Sequence, residues 1–283
     1  MRVLVTNDDG FDAPGLAALA RAFADAGHEV TVLAPLAEAS GSGAAIGPVH
    51  LRGGTIHFEE VTPAGLDGIK TLAIDALPAL IVITACLGGF GTPPDLVVSG
   101  INPGRNVGRA VMHSGTVGAA LTSAPFGLKG LAVSMQAGPA PSGYESADGS
   151  HLYFESAASL AVAVASQMEA APARTVINLN VPNLPLGKIR GIRRAGLATK
   201  GLIFSARLDD RDLDVQLDLR GREPAAGGSA GGEAAGGGES DESLTELGWA
   251  VVTPLATVSE DHRPDVGTVV DAAIESASRL VGS

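Results

Sequence analysis

The apolar run Val3-Leu4-Val5 stops at Thr6-Asn7-Asp8-Asp9-Gly10, and an alanine-rich helical pattern begins at Pro14. Burying those aliphatic side chains in a strand brings two adjacent carboxylates to the rim of the core. Side by side there, they repel each other and lose hydration. A cation held between them offsets both effects. In a parallel α/β sheet, ligands bind just beyond the carboxyl ends of the strands, which is where this pair falls. The first expectation is therefore a divalent-metal site on an enzyme that handles phosphate. For either residue taken alone, an aspartate capping the next helix is the alternative.

The rest of the first half repeats that alternation. Strand patterns over residues 2–6, 28–34, 69–74, 95–99, 130–134 and 175–180 are separated by helical patterns over 14–26, 77–87, 115–124 and 152–168. Such an order predicts an α/β fold with a doubly wound, mostly parallel sheet. Residues 49–51 and 55–61 predict an excursion of β-ribbon. The character changes near residue 190. Residues 189–198 and 202–219 read as strands, 249–254 as another, and 264–280 as a closing helix. Between them, residues 221–242 form a glycine-rich, low-complexity tract with little to bury, expected to be mobile. The predicted organisation is a core over residues 1–190 that carries the site, and a C-terminal β-hairpin and helix arm over 191–283.

Composition narrows the partners. A formal net charge of -12 argues against nonspecific binding to nucleic-acid duplexes, because phosphate backbones need a basic face. Cys86 is the single cysteine, so an internal disulfide is excluded and a reducing compartment is expected. It lies in an apolar run, where a structural thiol is expected rather than a nucleophile. Asp8 and Asp9 interrupt the first apolar run too early for a signal peptide, and no apolar stretch approaches the roughly 20 residues of a membrane helix. These features predict a cytoplasmic protein with no membrane contact.

Neutral oxygens to complete a metal site are expected at neighbouring strand ends. Ser40 lies in the loop after the second strand and Asn102 directly after Asp95-Leu96-Val97-Val98-Ser99-Gly100-Ile101. Each alone is an ordinary turn residue. Hard oxygen donors of this kind suit Mg²⁺ or Mn²⁺, and no His/Cys cluster suits zinc. The loop of residues 100–108, with its glycines, leads to Ser114-Gly115-Thr116 at a predicted helix start. Glycines let backbone amides approach an anion, and the helix N-terminus adds unpaired donors. Ser114 and Thr116 add hydroxyls, Asn106 an amide, and Arg105 or Arg109 a charge. A capped helix after a flexible loop is the alternative reading. His113 sits beside this cradle as a candidate proton donor. The lysine of a Walker loop is missing, as is a dinucleotide fingerprint.

In order, Thr6-Asn7-Asp8-Asp9-Gly10, Ala13-Pro14-Gly15, Ala34-Pro35, Ser40-Gly41, the Asp95–Asn102 segment and Ser114-Gly115-Thr116-Val117-Gly118 resemble the SurE-type survival-protein nucleotidases. Ala132-Val133-Ser134, Asn178-Leu179-Asn180-Val181-Pro182 and Val252-Thr253-Pro254-Leu255 continue the resemblance. It implies a Rossmann-like core and a metal-dependent phosphatase for nucleoside monophosphates. It also implies a C-terminal arm that builds homodimers or homotetramers. The implied metal ligands are Asp8, Asp9, Ser40 and Asn102, and the implied phosphate contacts are Asn106, Ser114, Gly115 and Thr116. Asp8, Asp9 and Asn106 are the expected catalytic residues. Two further readings share the same loops: a phosphatase for another small ester, and a regulatory protein that binds a metal and a phosphorylated ligand without turnover. The chain departs from the family pattern at residues 75–80, at His113 where a tyrosine is common, and over 196–246.

Overall fold

The computed structural model describes residues 1–137, 151–199, 203–209, 212–218, 239–258 and 263–281. Strand β1 (Arg2–Thr6) leads through helix α1 (Pro14–Asp25) to β2 (Glu29–Pro35), then to the short β3 (Phe58–Glu60) and β4 (Lys70–Ile74). Helix α2 (Pro78–Cys86) returns to β5 (Leu96–Pro103), α3 (Gly115–Thr122) to β6 (Lys129–Met135), and α4 (Phe154–Met168) to β7 (Val176–Val181). β8 (Ile192–Arg194), β9 (Ile203–Asp209), β10 (Asp212–Asp218), α5 (Asp241–Glu246), β11 (Ala250–Leu255) and α6 (Pro264–Val281) complete the chain.

Among the described residues, nine strands form one sheet in the order β3-β4-β2-β1-β5-β6-β7-β11-β8, while β9 and β10 pair as a separate antiparallel hairpin. From β4 to β7 every neighbouring pair is parallel. The chain winds one way from β1 through β2 to β4, and the other way from β5 through β6 to β7. β1 and β5 therefore flank the switch point, where a crevice opens at the carboxyl ends. The expected doubly wound α/β sheet is present, with the hairpin after it. Two strands from beyond residue 190 also join the sheet: β11 runs antiparallel to β7, and β8 pairs with β11.

Strand parity sorts the core into two layers, because successive side chains point to opposite faces. Val3 and Val5 of β1 pack with Leu16, Leu19 and Phe23 of α1 and Ala157 and Ala161 of α4. Leu4 lies with Leu33, Leu72, and Ile81 and Val82 of α2 on the other face. Both faces are covered, which explains the nearly continuous apolar strands in the sequence.

Three sequence expectations are corrected. Residues 49–51 fall in a 3-10 turn, Val49–Arg52, that ends at Gly53 in the left-handed region, and only Phe58–Glu60 is extended, antiparallel to β4. The Gly53-Gly54 pair, both at positive φ, breaks the expected ribbon. Of 189–198 only Ile192–Arg194 is a strand. Asp241–Glu246, at the end of the expected low-complexity tract, forms a helix with a capping box at Ser240 and Ser243. Residues 221–238 of that tract lie outside the described residues. Among the described residues, no helix is long and apolar enough to cross a membrane.

Phe23 is fully buried, whereas Leu87 at the end of α2 is 72% exposed. Phe23→Ala is expected to cost about 3–5 kcal/mol in urea melts, and Leu87→Ala to stay within about 0.5 kcal/mol.

Candidate active site

Four segments meet at the crevice. Just beyond the end of β1 stand Asp8, which is 3% exposed, and the half-buried Asp9. No side chain caps α1, whose N-cap is Ala13. The carboxylates are thus free of the capping role that would have explained them without a ligand. The loop after β2 closes over β1 through the Ala39 amide, which donates to the Asp8 carbonyl at 2.7 Å. The same loop reaches α3 through the Gly43 amide, which donates to the His113 carbonyl at 3.1 Å. A Cβ on Gly118 would stand 2.1 Å from the Gly43 carbonyl oxygen, so only glycine lets α3 approach this loop. On the other side, a Cβ on Gly15 would stand 2.3 Å from the Ile101 carbonyl oxygen, which presses the start of α1 against the end of β5.

The N-terminus of α3 is the closest neighbour of the carboxylate pair. A Cβ on Gly115 would lie 2.7 Å from both Cβ and Oδ2 of Asp8, and 2.8 Å from Ser42 Oγ. Thr116, one residue on and fully buried, donates its hydroxyl to Asp8 Oδ1 at 2.5 Å. That is a short, charge-assisted bond which fixes the carboxylate. Burial nevertheless pushes the Asp8 carboxyl above the ordinary range, against the opposing bond from Thr116. Asp9 is pushed up to about 7, first by burial and then by the neighbouring charges of Asp8 and Glu38. Its Oδ2 is buried without a hydrogen-bond partner. A buried, unpartnered carboxylate oxygen beside a second carboxylate is what a hard divalent cation satisfies.

Ser40 lies in the loop after β2, whereas Asn102, expected in the loop after a strand over 95–99, lies within β5, which extends to Pro103. The Ser40 hydroxyl donates to Glu38 at 2.8 Å, and the Asn102 amide donates to the Gly104 carbonyl at 2.8 Å, leaving its oxygen as the group with acceptor capacity toward a cation. Ser114 caps α3, its Oγ accepting from the Val117 amide at 3.1 Å, so its hydroxyl proton is available to an anion. Thr116 departs from expectation: its hydroxyl is committed to Asp8, and its amide, like that of Gly115, also faces that carboxylate.

Asn106 is clamped from the sheet. Its amide nitrogen donates to Asn180 Oδ1 at 2.9 Å, and its carbonyl accepts from Asn178 and Asn180 at 2.8 and 2.9 Å. Its side-chain amide donates to Ser134 Oγ at 2.8 Å and keeps a second N–H. Two residues on, the Gly108 amide donates to Asp241 Oδ2 at 2.9 Å, while Asp241 Oδ1 accepts from Ala198 and Glu242. Sequence reasoning gave no role to Ser42, Ser134, Asn178, Asn180 or Asp241. The two asparagines were detectable as polar residues at alternate positions of an apolar strand. Arg105 is paired with Glu246 at 3.3 Å, and His113 is exposed. Cys86 is half-buried and burial pushes its thiol up to about 11, which removes it as a nucleophile.

Known proteins resemble this chain in sequence and in fold. The family model described as survival protein SurE matches residues 3–202. A protein of Stenotrophomonas maltophilia named 5'-nucleotidase SurE is 34% identical over 260 residues, covering 90% of this chain and 89% of its own. A namesake in Nitratidesulfovibrio vulgaris is 35% identical over 266 residues, covering 93% of this chain and 89% of its own. The crystal structure of the SurE protein from Aquifex aeolicus superposes with a TM-score of 0.68 over 93% of this chain and 96% of its own, at 24% identity.

Two outcomes follow from the geometry. Gly115→Ala forces Asp8 or Ser42 to move, so turnover falls by about 100-fold or more, in the range seen when reacting groups shift by about an ångström, with a folded circular-dichroism spectrum retained. In chelator, the folded protein keeps a proton on Asp9 that the unfolded chain releases near 3.8. Metal-free stability therefore falls as pH rises from about 4 to about 7. Thermal melts show that slope in the wild type and a shallower one in Asp9→Asn.

Proposed function

The chain belongs to the survival protein SurE family, and on that premise we propose that it is a 5'-nucleotidase, hydrolysing nucleoside monophosphates to nucleoside and phosphate with a divalent cation, Mg²⁺ or Mn²⁺. The observation that carries the metal-dependent reading is the unpartnered Asp9 oxygen next to Asp8 in the switch-point crevice. Asp8, Asp9, Ser40 and Asn102 would hold the cation, all through oxygen. When bound, it supplies Lewis-acid polarisation of the phosphoryl group.

The remaining roles belong to the chain's own residues. The Ser114 hydroxyl and the second N–H of Asn106, beside the N-terminus of α3, hold the phosphoryl oxygens and oppose their growing charge. Thr116 keeps Asp8 in one orientation. Asp9, half-buried beside Asp8, orients the attacking water and takes its proton. In-line attack then breaks the phosphorus–oxygen bond to the nucleoside, whose departing oxygen takes up a proton from solvent. Oligomerisation as a homodimer or homotetramer is proposed through the C-terminal arm, where α6 exposes Val269, Val270 and Ile274. The half-buried thiol suits a reducing cytoplasm.

Purified protein treated with chelator is expected to release no phosphate from mononucleotides and to regain turnover with Mg²⁺ or Mn²⁺. Asp9→Asn is expected to lose at least about 100-fold in kcat, the loss typical of removing a general base. Phosphate release that survives chelation refutes the metal site, and saturable nucleotide binding without phosphate release refutes the nucleotidase.

A further inference from the structure

Asp9 faces a second feature that the proposed chemistry does not use. A cleft of about 320 Å³ is lined by Asp9, Asp12, Pro14, Ile101, Pro103 and Phe154. Asp9 is shared between this cleft and the carboxylate pair, while no residue of α3 lines it. Its walls are an aromatic ring, two prolines and an isoleucine. Its charged lining groups are carboxylates, and no lysine or arginine is among them. Such a lining repels a phosphoryl group and favours the neutral organic end of a phosphate ester.

Phe154 is placed by the fold rather than left to solvent. It opens α4, and its ring lies over the first turn of α1: a Cβ on Gly15 would stand 3.1 Å from its Cε1. The segment before it is pinned by Asn183, which is 3% exposed. Asn183 accepts from the Tyr153 amide at 3.1 Å and donates to the His151 carbonyl at 3.0 Å. The ring is thus fixed and half-buried, at the rim of a cleft that includes a residue of the reacting corner. A second cleft of about 280 Å³, bounded by Leu36, Glu38, Ile46, Leu77 and Leu80, contains neither carboxylate of the pair.

We propose that the Phe154 cleft receives the nucleobase, with Phe154 and the prolines as stacking surfaces and Asp12 as acceptor for base N–H groups. Bases stack on aromatic rings regardless of sequence identity because each presents a π-face. A phosphoryl group held by Ser114 and Asn106 beside the carboxylate pair then places the organic end of the ester toward the cleft that Asp9 lines. Specificity for nucleotides over sugar phosphates follows from this cleft, and the assignment rests on the nucleotidase reading above.

The test compares a nucleoside 5'-monophosphate with ribose 5-phosphate, which carries the same phosphate and sugar but no base. F154L keeps an apolar side chain while removing the ring, and is expected to lower the ratio of kcat/KM between the two substrates about tenfold, mostly through KM, within the range for loss of a base–aromatic stack. F154W is expected to keep the ratio. An unchanged ratio in F154L overturns the assignment, as does an equal loss on both substrates, which would mark a packing role alone. Should the wild type hydrolyse neither substrate, the nucleotidase reading fails on its own, and the cleft is then read by calorimetry with adenosine. Binding weakened about tenfold by F154L and kept by F154W supports the cleft; absent binding or binding indifferent to both variants overturns it.

Discussion

The contact between the start of α3 and the end of β1 governs the site. Gly115 lies so close to Asp8 that no side chain fits between them, and Thr116 locks the carboxylate with a 2.5 Å bond. Because the helix cannot retreat, the amides of Gly115 and Thr116 stay directed at the Asp8 carboxylate. Gly118 repeats the arrangement one turn later, where it admits the loop that carries Ser40 and Ser42. Three segments distant in sequence are thus brought together by close backbone approaches, with side chains deleted at each point of contact. The rigidity matters chemically. Donors fixed in advance need no reorganisation as charge develops on a phosphoryl group.

The opposite wall of the anion cradle is held from the sheet and from the C-terminal segment. Asn178 and Asn180 project from the carboxyl end of β7 onto one peptide of the 105–108 loop, and Asp241 takes the next amide but one. Burial raises the Asp241 carboxyl, while the amides of Gly108, Ala198 and Glu242 oppose that shift. A charge held among three amides is costly to place and directional once placed. The C-terminal segment is therefore coupled to the crevice through one buried side chain, even though its sequence looks like the edge of a linker.

Much of this was legible beforehand. The strands were readable because both faces of the sheet are covered, which leaves nearly unbroken apolar runs, and Asp8, Asp9 and Asn102 were readable because they end such runs. The bond from Thr116 to Asp8 was not, since it joins residues 108 apart and hydroxyls after a capping serine look like anion donors. Asp241 was hidden by the glycine-rich composition before it, although Ser240 and Ser243 carry the signature of a helix start. Residues 49–61 failed for a local reason: β-prone side chains on either side of Gly53-Gly54 read as strands, whereas the paired left-handed glycines set a turn instead.

The charge distribution explains why the proposed reaction needs its cation. The crevice gathers Asp8, Asp9, Asp12 and Glu38 in a protein whose net charge is already -12. Arg105, the nearest cationic residue of the loop, is engaged by Glu246. Helix amides contribute roughly half an elementary charge at an N-terminus, too little to bring a phosphate dianion against two carboxylates. A hard divalent ion held by the carboxylates would reverse the local sign and would tie anion binding to metal loading. The apolar cleft beside Asp9 gains from the same arrangement. With the phosphate confined to the one place where the field turns positive, the carboxylate-rimmed side of the corner is left to the uncharged half of the ester.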